Sequence, residues 1–158
     1  IKLEDRGPAL YSQVRTGRFG KPYKVYKFRS MRVDAEKYSG PQLATDHDPR
    51  ITRVGAFIRA TRLDELPQIW NVLNGDMSLV GPRPIVTKEI ERYGDYFREY
   101  SMVLPGITGM WQASGRSDTT YEERVAMDTW YVRNWSVWID LMYLFKTVKA
   151  VAFGKGAY

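Results

Sequence analysis

The chain has 158 residues, a length typical of a single domain, and we take residues 1–158 as one. Its 44% hydrophobic and 14% aromatic content is enough to form a buried core, which excludes disorder along the whole chain. No cysteine and one histidine are present, which excludes disulfides, thiolate nucleophiles and cysteine-ligated metal centres. Any chemistry must therefore depend on carboxylates, hydroxyls, arginines and lysines.

The net charge of +6 is distributed unevenly. Residues 1–62 hold 14 Lys and Arg against 6 Asp and Glu, whereas residues 63–158 hold 10 against 12. The basic front half predicts an anionic partner, which could be nucleic acid, a phosphorylated metabolite or acidic lipid headgroups. The chain has no run of about 18 apolar residues, the length that a membrane-spanning helix needs.

The predicted elements begin with a β-hairpin. Ala9–Val14 and Tyr23–Phe28 read as strands, and residues 15–22 between them carry the Gly and Pro of a turn. Basic and apolar residues alternate in the second strand, which predicts a half-buried strand with a cationic outer face. A short helix is expected at Val33–Tyr38 and a polar loop at Gly40–Pro49.

Helical patterns dominate the rest of the chain. The expected helices are Ile51–Ala60, Glu65–Leu73, one that Thr87 caps and that ends before Pro105, Tyr121–Arg133 and Ser136–Phe153. The third helix carries a regular apolar stripe made of Ile90, Tyr93, Phe97, Tyr100 and Leu104. The last carries Val137, Leu141, Leu144, Val148 and Val151 on one face, after Trp135 and Trp138. That face suits a core helix or a helix lying at a membrane interface.

The fold class predicted from these patterns is α+β and mostly helical. It has a short N-terminal β-hairpin and several amphipathic helices.

Asp64 and Glu65 are the sharpest candidate site. Asp64, three residues before Pro67, is typical of a helix start, where a carboxylate caps backbone N–H groups. The same position keeps a carboxylate ionised, and adjacent helical side chains point about 100° apart. One carboxylate could then face a phosphorus atom while the other binds Mg²⁺. The residues alone leave the cap and the catalytic interpretation compatible.

Arginines form the second set of candidates. A guanidinium binds phosphate bidentately, so several together could hold a diphosphate, although each one alone also fits a solvated surface. Arg83 stands apart because the two prolines of Gly81-Pro82-Arg83-Pro84 hold it rigidly. The set comprises Arg29, Arg32, Arg50, Arg53, Arg59, Arg62, Arg83 and Arg116.

Two other acidic positions remain. Asp46-His47-Asp48 favours a turn before Pro49 over a metal site. Asp128 lies among aromatic residues of the expected helix Tyr121–Arg133, and a structural and a catalytic role fit it equally.

Several short motifs follow one another along the chain. They are Lys24–Met31, Asp48–Gly55, Leu63–Gln68, Asn74–Pro84, Pro105–Gly109, Trp111–Arg116, and Asp128 with Trp130–Val132. Together they resemble the bacterial sugar transferases, which are monotopic phosphoglycosyl transferases acting on polyprenyl phosphate. The likeness extends over nearly the whole chain from about Gly7. Gly115–Asp118 and Gly156–Tyr158 resemble the subgroup that starts O-antigen or capsule polysaccharides with a hexose 1-phosphate.

The resemblance implies an enzyme that transfers hexose 1-phosphate from UDP-galactose or UDP-glucose to undecaprenyl phosphate and releases UMP. The implied mechanism is ping-pong, through a covalent aspartyl phosphosugar. Asp64 would be the nucleophile, and Glu65 would help Asp64 to hold Mg²⁺. Asp128 matches a further acidic position of the site.

The resemblance also assigns the cations. Arg83 and Arg116 match family motifs and are expected to contact the diphosphate or the nucleotide. The remaining substrate-binding candidates are Arg59, Arg62, Arg29 and Lys27.

The implied location is the cytoplasmic face of the bacterial inner membrane, with the last helix at the interface. In this family a hydrophobic re-entrant helix precedes the segment that begins near Gly7, so we expect a catalytic domain without it. A nucleic-acid partner is not expected, and a homo-oligomer is left open, as is the identity of the hexose. Two rival interpretations are a basic nucleic-acid-binding module and a membrane-surface scaffold without catalysis. The nucleic-acid interpretation leaves Asp64-Glu65 and the Gly-Pro-Arg-Pro motif unexplained, and the scaffold predicts lipid binding that does not depend on Asp64.

Overall fold

A computed structural model describes residues 1–35, 48–114 and 119–152. Strands β1 (Leu10–Thr16) and β2 (Pro22–Phe28) pair antiparallel along their full lengths, so the predicted hairpin is confirmed.

The prediction of a cationic outer face on β2 is only half right. Lys24 is exposed, but Lys27 lies on the same side of the strand as the buried Val25. Side chains of a strand alternate with a period of two, and Tyr26 interrupts the alternation of basic and apolar residues. The two lysines therefore point to opposite faces, and Lys27 is directed into the domain.

Helices make up most of the remaining structure, as predicted. They are α1 (Arg53–Ala60), α2 (Gln68–Leu73), α3 (Ile90–Tyr93), α4 (Phe97–Tyr100), α5 (Met110–Ser114), α6 (Tyr121–Asn134) and α7 (Val137–Ala152). Thr52 caps the start of α1 by accepting the Gly55 N–H, and Thr120 forms a reciprocal capping box with Glu123. The expected helix Val33–Tyr38 and the loop Gly40–Pro49 lie largely outside the described residues.

The long helix expected after Thr87 is broken into short pieces. Gly94 has φ 52°, which ends α3, and a 3₁₀ turn over Gly94–Tyr96 leads into α4. Thr87 is not the cap, since the turn before α3 starts at Val86, whose N–H is bonded to the Glu89 carboxylate at 2.9 Å. Four of the five residues of the predicted stripe still pack together: Tyr93 and Tyr100 are buried with Ile85 and Val125, and Ile90 and Phe97 lie against them. Leu104 is half-buried and does not belong to this cluster.

A small parallel sheet pairs the segment that follows α2 with the segment that follows α4. Strands β3 (Ser78–Val80) and β4 (Gly106–Thr108) were not predicted, because three residues are too few to show a period of two. Their backbones approach so closely that a Cβ on Gly106 would lie 2.1 Å from the Gly81 nitrogen. This contact holds the Gly-Pro-Arg-Pro loop, which follows β3 directly, against β4.

Helix α7 rests on the sheet with one side and exposes the other. Val80, Tyr131 and Tyr143 form a second buried cluster beneath it. Its outer side, here called the α7 apolar face, consists of Val137, Trp138, Leu141, Phe145 and Val148, all of them exposed. Within the described residues, no helix has both the length and the hydrophobicity needed to cross a bilayer.

Candidate functional site

The Asp64-Glu65 pair lies in a 3₁₀ turn, Leu63–Glu65, between α1 and α2. Arg62, directly before it, has φ 56°, a left-handed conformation that costs a residue with a side chain about 1–2 kcal/mol. Helix α2 begins only at Gln68, and the N-cap positions of the helix and of the turn are occupied by Pro67 and Arg62. The interpretation of Asp64 as a helix N-cap is therefore wrong. Strain of this kind is often found where a site needs an unusual backbone.

Lys27 reaches the pair from β2. Its Nζ lies 3.0 Å from Glu65 Oε1, and both side chains are mostly buried. The ammonium places a positive charge beside the two carboxylates, which weakens the repulsion that an incoming phosphate would meet. Directing Lys27 inward is thus what brings a cation to the candidate site.

The two carboxylates are suited to a magnesium ion whose other ligands include the phosphate oxygens of a substrate. Among the described residues, no group of three or more His, Cys, Asp or Glu could hold a metal by itself. Mg²⁺ is commonly held by one or two carboxylates, water and substrate phosphate oxygens, and Asp64 and Glu65 supply that donor type. A bound ion would compete with Lys27 for the Glu65 oxygen.

Helix α5 connects this turn to Arg83, the arginine of the Gly-Pro-Arg-Pro motif. Arg62 Nη2 donates to the Gln112 carbonyl at 3.2 Å. The neighbouring Trp111 is buried, and its ring centroid lies 5.2 Å from the Arg83 guanidinium and 4.6 Å from that of Arg124. Contacts of this length are cation–π interactions, which fix the orientation of each guanidinium.

Arg124 was missed by the sequence analysis. The only available signal was its spacing, since it lies four residues before Asp128 and so on the same side of α6. Trp111, which brings it next to Arg83, comes from another helix, and that contact could not be read from the chain.

The Gly-Pro-Arg-Pro loop is held through its backbone. The buried Tyr100 hydroxyl donates to the Arg83 carbonyl at 3.0 Å and accepts the Ile85 N–H at 3.3 Å. Burial raises the pKa of Tyr100, so the hydroxyl stays protonated and can donate. The orientation of Arg83 therefore depends on Trp111 and on this tyrosine together.

Asp128 is almost fully buried behind the same loop. Its Oδ2 accepts a hydrogen bond from the Tyr93 hydroxyl at 2.8 Å, and its Oδ1 accepts none from the described residues. Desolvation raises the pKa of Asp128 to about 7, against the opposing effects of Tyr93 and of the Arg83 backbone and charge. The carboxyl can thus exchange a proton near neutral pH.

The stability of the fold should therefore decrease as pH rises from about 4 to about 7 through Asp128. In that window the unfolded carboxyl, with a pKa near 3.8, has lost its proton while the folded one, with a pKa of about 7, retains it. The Tm of Asp128→Asn minus the Tm of the wild type should therefore increase from pH 4 to pH 7. Above pH 7 this difference should stay constant. Each kcal/mol corresponds to about 2–4 °C for a chain of this size. A Tm difference that shrinks as pH rises would contradict this assignment.

The other predicted cations are not gathered at the pair. Arg29 is buried in an ion pair with Asp5, at 3.1 Å, which gives it a structural role near the N-terminus. Arg50 is paired with Asp48 at 2.6 Å. Arg59 lies in the last turn of α1, and its contact with a substrate stays a prediction.

Two further predictions cannot be compared with the structure. Arg116, and Asp46 with His47, lie outside the described residues.

Known proteins match this chain over nearly its whole length. The family model described as bacterial sugar transferase matches residues 1–154, nearly all of the chain. The chain belongs to the bacterial sugar transferase family.

Relatives in this family carry names that specify a reaction. An undecaprenyl-phosphate galactose phosphotransferase of Salmonella typhimurium is 52% identical over 98% of this chain and 35% of its own length. A UDP-glucose:undecaprenyl-phosphate glucose-1-phosphate transferase of Escherichia coli is 46% identical over the whole chain and 36% of its own length. The exopolysaccharide production protein ExoY of Rhizobium meliloti is 42% identical over the whole chain and 76% of its own. The chain thus spans about a third of the first two relatives.

Proposed function

We propose that this chain transfers a hexose 1-phosphate from UDP-galactose or UDP-glucose to undecaprenyl phosphate and releases UMP. The observation that carries the proposal is the Asp64-Glu65 turn, which follows the strained Arg62 and has Lys27 Nζ at 3.0 Å from Glu65 Oε1, in a chain of the bacterial sugar transferase family. Relatives named for transfer to undecaprenyl phosphate support the acceptor, and they include both a galactose and a glucose enzyme.

The proposed reaction has two displacement steps at phosphorus. The Asp64 carboxylate attacks the β-phosphorus of the UDP-hexose, the bond to the bridging oxygen breaks, and UMP leaves with that oxygen. A phosphate oxygen of the lipid then attacks the same phosphorus, and Asp64 leaves again as a carboxylate. A carboxylate is ionised at neutral pH and needs no general base for the first step. The acyl phosphate formed in between is reactive enough to be passed on.

The proposed roles of the surrounding residues are electrostatic. Asp64 and Glu65 would hold Mg²⁺, which when bound offsets phosphate charge. Lys27 offsets the charge of Glu65, and Arg83 and Arg124 place two guanidiniums at Trp111 for the diphosphate.

Arg83→Lys should lower kcat/KM for the UDP-hexose by about 10- to 100-fold. A lysine keeps the charge but loses the planar fork, and a charge-assisted hydrogen bond contributes about 1.5–3 kcal/mol. Steady-state release of UMP measures the effect. Arg98→Lys, at an exposed position of α4, serves as the control and should keep the wild-type value. An equal loss in both variants would show that the substitution acts through general destabilisation.

We further propose that the chain rests on the cytoplasmic leaflet of the bacterial inner membrane through the α7 apolar face. Trp138 is 80% exposed and Phe145 72%. Monomeric soluble proteins rarely expose a large contiguous apolar patch, and such patches mark interaction sites. Lys146 and Lys149 lie on the same helix, within reach of anionic headgroups.

Trp138→Ser/Phe145→Ser should therefore lose most of its binding to anionic vesicles at low salt. Co-sedimentation with vesicles of phosphatidylglycerol measures the bound fraction. Tyr96→Ser removes an aromatic side chain that is also exposed, but outside α7, and should bind as the wild type does. Binding that is lost equally in both variants, or in neither, would contradict the role of α7.

A further inference from the structure

An open groove lies beside the turn that carries the candidate nucleophile, and it is lined by Leu63 and Glu65, the two chain neighbours of Asp64. It runs between the Asp64-Glu65 turn with α2 on one side and α7 on the other, with β3 and β4 as its floor, and its volume is about 290 Å³. Its apolar walls include Leu66, Ile69, Leu79, Ile107 and Leu144. We call it the α2–α7 groove.

The groove is apolar along its length and charged at one wall. Leu66, Ile69 and Leu79 each remain nearly half exposed, so they line a surface that is open to a ligand. Glu65 and Arg62 belong to the same lining. An occupant suited to this surface has an apolar body and an anionic head: its body would cover the leucines and isoleucines, and its head would meet Arg62. Lys27 does not line the groove, but its ion pair with Glu65 offsets the negative charge of that wall.

The groove is also continuous with the proposed membrane surface. Leu144 belongs to the groove, and Leu141, Phe145 and Val148 of the α7 apolar face are close to it on the same helix. A lipid could therefore enter from the bilayer without exposing its chain to water, because apolar surface extends from one region to the other.

From this juxtaposition we infer that the α2–α7 groove binds the first isoprenoid units of the polyprenyl phosphate acceptor and directs its phosphate to Asp64. The inference rests on the proposed function and names how its second substrate is held. In the step concerned, an acceptor phosphate oxygen forms a bond to the phosphorus held by Asp64. The bond between that phosphorus and the Asp64 oxygen breaks, which leaves a carboxylate and a lipid diphosphate sugar.

The test separates the two half-reactions. The chain is first loaded with UDP-galactose or UDP-glucose and Mg²⁺ and freed of small molecules. Dimethylallyl, geranyl or farnesyl phosphate is then added, and intact mass follows the loss of the hexose phosphate. In the wild type the rate should rise with chain length, because each added unit covers more of the groove.

Ile69→Ser/Leu79→Ser should remove that dependence. We expect discharge by farnesyl phosphate to slow at least about tenfold and to approach the rate with dimethylallyl phosphate, which covers least of the groove, while the loading step stays unchanged. Leu73→Ser replaces an exposed apolar residue of α2 that does not line the groove, and it should retain the full dependence. A wild-type rate that does not depend on chain length, or a double variant that keeps the dependence, would overturn the inference.

If no adduct forms, that result counts against the proposed function and not against the groove. A direct binding measurement then tests whether the groove holds the lipid. Equilibrium dialysis of farnesyl phosphate against the wild type and the double variant should show binding that only the wild type retains. Equal binding by both, or by neither, would overturn the groove assignment. A concentration-dependent dimer that dissociates in the double variant would also overturn it, since a second copy would then be the occupant.

Discussion

Asp64→Asn should abolish the gain of one hexose phosphate in mass that the wild-type chain shows with UDP-galactose or UDP-glucose and Mg²⁺. The amide has nearly the size of the carboxylate but is a far weaker nucleophile, so we expect turnover to fall at least about a thousandfold. Intact-protein mass spectrometry without lipid acceptor measures the first displacement alone, and comparing the two sugars identifies the hexose. Circular dichroism should show the same fold in both proteins, because the amide has nearly the size of the carboxylate and Asp64 stands at the N-cap position of neither α2 nor its own turn.

Asp95→Asn is the matched control for this experiment. It makes the same chemical change in an exposed acidic residue of the Gly94–Tyr96 turn, and it should form the adduct at the wild-type rate. Appreciable UMP release by folded Asp64→Asn would contradict the role of Asp64 as nucleophile. A wild-type chain that stays unmodified would contradict the covalent step itself.

Gly106→Ala should destabilise the fold by at least about 3 kcal/mol and lower the activity of the chain that still folds. The new Cβ would lie 2.1 Å from the Gly81 nitrogen and 2.5 Å from the Thr108 carbonyl, and backbone atoms cannot move aside as side chains do. Separating β3 from β4 displaces the Gly-Pro-Arg-Pro loop, whose Arg83 we propose to bind the diphosphate. Thermal unfolding should show a Tm decrease of about 6–12 °C.

Gly75→Ala distinguishes crowding from backbone strain. Gly75 has φ +79°, but nothing lies within 4 Å of its added Cβ. We therefore expect only the cost of a left-handed alanine, about 1–2 kcal/mol, and unchanged activity. If Gly106→Ala cost no more than Gly75→Ala, the close approach of β3 and β4 would not be a constraint on the fold.

Local patterns were sufficient for the elements that the chain forms by itself. The hairpin follows from two β-prone segments around a Gly- and Pro-containing turn, and the helix predicted at Tyr121–Arg133 agrees with α6 to within one residue. Of the stripe predicted from Ile90 to Leu104, all residues but Leu104 belong to one core, although Gly94 interrupts the helix that was expected to carry them. A stripe reports which side chains face inward, and it does not report whether the backbone between them stays helical.

Contacts between distant segments could not be predicted from the sequence. Strands β3 and β4 have three residues each and gain their hydrogen bonds from one another, so neither segment has a signal of its own. The inward orientation of Lys27 depends on the alternation of side chains along β2. It also depends on the ion pair with Glu65, which lies in a separate turn. Arg29 was selected as a substrate contact on its residue type, and Asp5 gives it a structural partner instead.

By itself the sequence determined the class of the fold, its family and the acidic pair, because these depend on residue types and spacing along the chain. The tertiary structure decided that Asp64 is not a helix cap, that Trp111 brings Arg83 and Arg124 together, and that an apolar groove ends beside Glu65. The physical reason is the same in each case. These properties belong to contacts between separate helices and strands, and such contacts exist only after the whole chain has packed.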